Sequence, residues 1–349
     1  MAVTLNDIAR LANVGKSTVS QTLRNHPNSR NLRKETREKI RKIAGELGYC
    51  SNENAISLRT GNVKLIALIA NDDPQSSNLL YFNFPGIIRA ASERGYGVKI
   101  FTDRDIKETF HQINADRISL VLSLSVREDK REETALYAEK MHLDLVYFFE
   151  HSHGKYPSVN VDNIRAGHEA VKYLVSKGHS RIGFVATGMF FQYQRDRYEG
   201  FCKGLKECSL PLKKSFVIKE NEDITSCVEK LLSLPAEKRP TALFCSTDSL
   251  AMKVQHIALA KGLKLPEDLS VVGFSNSIVC PMAAVPLTSM DDNFDERAFL
   301  AIKVLLKEIP DGKYPRNRSF TVPSRIVERE SVYKLNHNTE IQNKKRRTK

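Results

Sequence analysis

The sequence predicts an all-α head followed by an α/β body built on parallel sheets. Three observations carry this. The first fifty residues hold three helical patterns, the first two joined by a tight Gly-containing turn. From residue 63 onward, apolar runs of strand length alternate with helical patterns. Charge is concentrated at the two ends. Residues 1–62 hold eleven Lys and Arg against five acids, and residues 334–349 hold six bases against Glu340. Of the net +13, only +2 is left for the 271 residues between. That distribution implies a polyanion-binding head on a near-neutral body. The closing "KKRRTK" reads as a solvated, disordered tail.

The first helix starts at Leu5. Thr4 precedes it and Asp7 follows three positions later, a T-x-x-D pattern that satisfies orphan amides at a helix start. Leu5, Ile8, Ala9 and Ala12 share one face. After Asn13, Val14 and Gly15 a second helix runs from about Lys16 to Arg24, with Val19, Thr22 and Leu23 facing inward. Its outward positions are Lys16, Ser17, Ser20 and Gln21, and three of those side chains are short or uncharged where surface helices carry long Glu and Lys. A helix that lies in a DNA major groove needs such groups, because bulk would hold it away from the base edges. Gln pairs with adenine and Lys donates to guanine. A third helix is expected near Lys34–Leu47, with Ile40, Ile43, Ala44 and Leu47 spaced for a core and Gly48 placed for a left-handed cap.

The body's strand candidates are "VKLIALIA", "YGVKIF", "RISLVLSL", "LDLVYFFE", "RIGFVA", "SFVIKE", "TALFCS" and "LSVVGF". Hydrophobic content of 41% supports sizeable cores. No apolar run of transmembrane length and no secretory leader pattern occur, so a cytoplasmic, nucleoid-associated protein without membrane contact is expected. The six cysteines form no C-x-x-C pair and are expected as reduced core thiols. No G-x-G-x-x-G, P-loop or H-E-x-x-H motif is present, which argues against an enzyme, and no cofactor is expected. "HSH" at His151–His153 lacks a third ligand nearby and reads as a polar loop, so no metal site is expected.

The residue order adds a resemblance. "VTLNDIARLANVGKSTVSQTLRN" resembles the opening of the lactose-repressor (LacI/GalR) family of bacterial transcription regulators. The likeness continues through "ETREKIRKIAGELGY", "NENAISLRTGNVKLIALI", "VNVDNIRAGHEAVKYLVSKGHSRIGFV", "RYEGF", "RPTALFCSTDSLAM", "GLKLPEDLSVVGF", "PLTSM" and "IVERESV", covering about residues 3–333. It implies a repressor in which a helix-turn-helix domain (1–49) is joined by a hinge (50–62) to a type I periplasmic-binding-protein-like body (63–333) and the basic tail (334–349). The body would hold two lobes, about 63–161 with 292–320 and 162–291 with 321–333, crossing near Asp162, Asp291 and Phe320. The family's base-reading positions fall on Lys16, Ser17 and Gln21, its phosphate contacts on Thr4, Ser20 and Asn25, and its minor-groove wedge on Leu58. Implied partners are near-palindromic double-stranded operator DNA, a second copy of the chain in a homodimer, and a small-molecule effector, most simply a carbohydrate.

Ligands in open α/β sheets bind beyond the carboxyl ends of the strands. That selects Asn71, Asp72, Thr247, Asp248, Ser275 and Asn276, with Tyr81 and Phe82 as stacking candidates and Arg197 at a family effector-contacting position. Several departures stand out. Gly15 replaces a turn Ser, Ser51 replaces a hinge Pro, "HPNSRNLRK" is about three residues longer than the family connection, and Arg33 stands at a capping position. Ser275 replaces an Asp that grips sugar hydroxyls in many members, which favours an acidic sugar held by Arg197 over a neutral one. A periplasmic sugar-binding protein shares the body fold but would carry a leader and no basic head.

Overall fold

The computed structural model describes residues 3–24, 26–49, 63–72, 84–219, 223–310 and 318–335. The chain divides into two units, Met1–Val63 and Lys64–Lys349.

The head opens with α1 (Leu5–Ala12), capped as the T-x-x-D pattern requires: the Thr4 hydroxyl accepts from the Asp7 amide, and the Asp7 carboxylate accepts from the Thr4 amide. Those bonds hold the Asp7 carboxyl below its ordinary range. Asn13 ends the helix in the left-handed conformation that an Asn tolerates. Then come α2 (Lys16–Leu23), a 3₁₀ turn at Pro27–Asn31, and α3 (Lys34–Glu46). The longer connection is therefore ordered as a 3₁₀ turn, and α3 starts at Lys34 even though Arg33 supplies no side-chain cap. Ile8, Ala12, Val19, Ile40 and Ala44 form the core, margined by Leu5, Leu23, Ile43 and Leu47. Ile8 and Ile40 are fully buried, each contributing roughly 1.5–3 kcal/mol to a small core.

The body contains two six-stranded sheets. The first lobe is built from β1 (Leu65–Ala70), α4 (Phe84–Ser92), β2 (Gly97–Thr102), α5 (Ile106–Ala115), β3 (Leu120–Ser123), α6 (Glu128–Lys140), β4 (Asp144–Phe148) and β5 (Ser158–Val161). The second runs through α7 (Asn163–Ser176), β6 (Ile182–Val185), α8 (Gln192–Glu207), β7 (Val217–Ile218), α9 (Ile224–Leu232), β8 (Ala242–Cys245), α10 (Asp248–Ala260), β9 (Ser270–Phe274) and β10 (Thr288–Asp291). The chain then returns to the first lobe through α11 (Phe294–Leu305) and β11 (Ser319–Val322), and ends with β12 (Arg325–Val327) in the second. Strand orders are β11-β5-β4-β3-β1-β2 and β12-β10-β9-β8-β6-β7. Among the described strands every pairing is parallel except β10 with β12. All but the first residue of β1 are buried, the signature of a parallel strand covered on both faces.

Ile66, Leu68, Leu122 and Phe148 pack against α4 and α11. In the second lobe Phe184, Phe244 and Phe274 pack on α7 and α8, while Leu243, Cys245 and Val271 pack on α9 and α10. The third crossing lies between Val322 and Arg325 rather than near Phe320, because Phe320 pairs with Val159 inside β11. At the second crossing, Arg297 and Asp292 form a buried ion pair at 2.6 Å.

Candidate DNA-reading face and ligand cleft

On α2, Val19 and Thr22 are buried, which turns the remaining positions outward. Lys16 and Ser17 are exposed in the first turn, and Ser20 and Gln21 are half-buried beside them. No acid occupies that turn, and Lys16 forms no ion pair among the described residues. The helix thus presents one cation, two hydroxyls and one amide at its positive end. Thr4 is exposed, but its hydroxyl already donates to Asp7 at 2.7 Å, so its use for a phosphate competes with the cap. Asn25, Leu58, Tyr81 and Phe82 lie outside the described residues.

In the body, Asn71 and Asp72 follow β1, the first buried and the second exposed. The Asp72 amide donates to Asp103 at 2.7 Å. Thr247 caps α10 by accepting from the Leu250 amide. Asp248 is no surface acceptor: it is 1% exposed, and its two oxygens accept from the Ser289 hydroxyl at 2.6 Å and the Ser277 amide at 2.8 Å. Burial pushes its pKa up, and its task is to fasten β10 and the loop after β9 to α10. Ser275 is half-buried with φ 109, a conformation that L side chains rarely adopt, so the loop after β9 holds it under strain. Asn276 accepts from Arg329 at 2.7 Å, which commits its oxygen within the second lobe.

Arg197 departs most from expectation. It is 6% exposed, and Nε donates to Asn163 at 2.8 Å while Nη1 donates to the Ser246 carbonyl at 2.5 Å. Its guanidinium lies 3.4 Å from the Phe274 ring centroid and 4.9 Å from that of Tyr193. Burial pushes its pKa down to about 10. Nε and one N–H of Nη1 are thus committed within the second lobe, which leaves Nη2 and the second N–H of Nη1 as its remaining donors.

A contact between the lobes carried no sequence signal, because its members are far apart in the chain and ordinary in type. Glu150 and His151 follow β4, and both meet α8. His151 Nε2 lies 2.9 Å from Asp196 Oδ2, and Gln192 donates to Asp196 Oδ1 at 2.7 Å. Arg131 of α6 donates to the His151 carbonyl, and Asn160 donates to the Glu150 carbonyl at 2.5 Å. Glu150 is 1% exposed; burial pushes its carboxyl up to about 7, against the opposing pull of Arg131 and His151. The bond to Asp196 raises His151 above its ordinary value. His151 of "HSH" is thus tied to α8 rather than lying in a free loop, and among the described residues no group of three or more His, Cys, Asp and Glu is placed to hold a metal ion.

A small helical head carrying a polar outward helix face, joined to a two-lobed α/β body, has the build of a DNA-binding regulator. Residues 4–52 match the family model for bacterial regulatory proteins, lacI family, and residues 171–332 match that of the periplasmic binding protein-like domain. Catabolite control protein A of Priestia megaterium is 30% identical over 319 residues, 88% of this chain and 92% of that one. The probable repressor ExuR of Bacillus subtilis is 30% identical over 280 residues, covering 78% and 82%. The chain belongs to the lacI family, and it is a DNA-binding transcriptional regulator, as its relatives are, rather than an enzyme. The fold matches the lac repressor dimer bound to operator and the anti-inducer ONPF, with TM-score 0.75, 19% identity, and coverage of 95% and 100%. It also matches a complex of the regulator CelR with cellobiose, with TM-score 0.65, 23% identity, and coverage of 94% and 99%. No helix among the described residues is long and apolar enough to cross a membrane.

Proposed function

We propose that the protein is a homodimeric repressor that reads a near-palindromic operator and is controlled by a sugar or sugar derivative held between its lobes. The observation that carries the reading is the outward face of α2. Lys16, Ser17 and Gln21 are its base-reading groups, with Ser20, Asn25 and Thr4 on phosphates and Leu58 as the minor-groove wedge. Two heads are needed because one small head gives weak affinity and a palindrome repeats its half-site. The operator-bound dimer of one relative and the cellobiose complex of another support both halves of the reading. Asn71, Asp72, Thr247, Ser275 and the remaining donors of Arg197 are the proposed effector contacts.

The test is selection of genomic fragments by the purified protein, followed by titration of the preferred site. Lys16→Ala and Gln21→Ala each weaken that site by about 1–3 kcal/mol and relax one base preference per half-site. Equal losses on selected and random DNA would reduce these residues to phosphate contacts. Sedimentation at micromolar concentration should return twice the chain mass of 39.5 kDa.

A further inference from the structure

We propose that this regulator also senses protons: His151 of the first lobe and Asp196 of the second form a proton-operated latch over the buried Glu150 carboxylate, and it draws the lobes together as pH falls. The placement carries the inference. Each member stands on a different lobe, so the 2.9 Å contact exists only when the lobes are together. The His151 side chain is 54% exposed, which lets protons reach it, while the Asp196 side chain is only 9% exposed. Asp196 has one oxygen on Gln192 and offers the other to the ring.

The surrounding charges are few. From the first lobe, Glu150 and the Arg131 guanidinium of α6 face His151; from the second, Asp196 does. The Tyr193 backbone N–H faces Glu150. Arg195, the next cation on α8, is turned to the Met189 and Phe190 carbonyls. A neutral imidazole can give the Asp196 carboxylate a hydrogen bond alone; an imidazolium adds to it the attraction of opposite charges. Beneath it, closure strips water from Glu150, whose two carboxylate oxygens find no hydrogen-bonding side chain. The protonated form loses far less on burial than the ionised form.

Both groups bind protons more tightly in the closed arrangement than in open water, so closure takes up protons. Glu150 rises from an ordinary 4.5 to about 7, and His151 rises above its ordinary 6.5. The stabilisation of the closed form is therefore complete below those ordinary values and is lost as pH climbs through neutrality.

The experiment uses the full chain and needs neither DNA nor effector, so its outcome stands apart from the operator reading. Histidine labelled at the ring carbon is followed by NMR, with the His151 signal assigned by its loss in His151→Gln. It should titrate above 6.5 and fall toward that value in Asp196→Asn. Hydrogen exchange of the peptides around residues 149–153 and 190–197, corrected for intrinsic rate, should be slower by about tenfold near pH 6 than near pH 8. Glu150→Gln and His151→Gln should flatten that difference; the half-exposed His151 position keeps a folded variant available if the buried one fails. A His151 signal titrating at or below the ordinary value, or a pH difference in protection that is absent or unchanged by His151→Gln, overturns the latch.

Discussion

His179 is sealed in the second lobe, with Nδ1 3.1 Å from the Thr241 hydroxyl and Nε2 3.1 Å from the Tyr333 carbonyl. Burial pushes its pKa down to about 4. The folded form keeps the ring neutral while the unfolded chain protonates it near 6.5. Stability is therefore whole above that value and declines as pH falls toward about 4, by on the order of 3 kcal/mol at 1.36 kcal/mol per pH unit. Urea titrations between these limits should show a shallower decline in His179→Gln. Arg197 acts at the same scale. Arg197→Ala leaves the Asn163 oxygen and Ser246 carbonyl without their donor and empties the space over Phe274, so a loss of about 3 kcal/mol is expected. Arg197→Lys should recover little, because an ammonium reproduces neither the fork nor the stacking. A variant as stable as wild type would show that these bonds contribute nothing to the fold.

The helices α7 and α8 cross at backbone contact. A methyl group at Gly200 would lie 1.9 Å from the Ile164 carbonyl oxygen, and one at Gly167 2.3 Å from that of Arg197. Gly200→Ala should therefore cost about 1–3 kcal/mol or more, and should shift the turn that carries Arg197 and Asp196. Gly45→Ala is the control: α3 has open space there, and alanine should stabilise the head by up to about 1 kcal/mol in thermal melts. Legibility divides along similar lines. Helix starts such as Thr4 with Asp7 were visible because cap chemistry is local. All eight apolar runs contain strands. The four strands left out are β5, β10, β11 and β12, all of them at lobe crossings. They are short, and in β5 and β10 polar residues sit buried: Ser158 meets Ser319 at 3.1 Å, and the Thr288 amide donates to the Ser331 hydroxyl at 2.8 Å. Apolar periodicity has nothing to register where a strand's interior is satisfied by hydroxyls.

For the molecule as a whole, the basic surplus of the first 62 residues predicts a steep loss of DNA affinity with salt, because each neutralised phosphate releases counterions. Binding isotherms from about 50 to about 200 mM salt should lose at least tenfold, on selected and random DNA alike. The rule that ligands sit beyond strand ends selects residues by position and is blind to structural duties. Asp248 lies beyond β8 and turns inward to hold the fold. Glu150 and Asp196 escaped notice because 46 positions separate them and only the meeting of two lobes gives them a common purpose.

The chain passes between lobes three times, and each lobe is therefore assembled from separate stretches of sequence. The first sheet receives β11 only after the whole second lobe has been traversed, and the second sheet waits for β12. No single cut of the chain releases a lobe. A protease nick at Asp162 leaves two tethers intact, so the nicked body keeps its sheets and loosens only its bending stiffness. Ribosomal synthesis meets the same constraint: neither sheet is complete until residue 319 has emerged, and the nascent body must be kept from misassembly for nearly its full length.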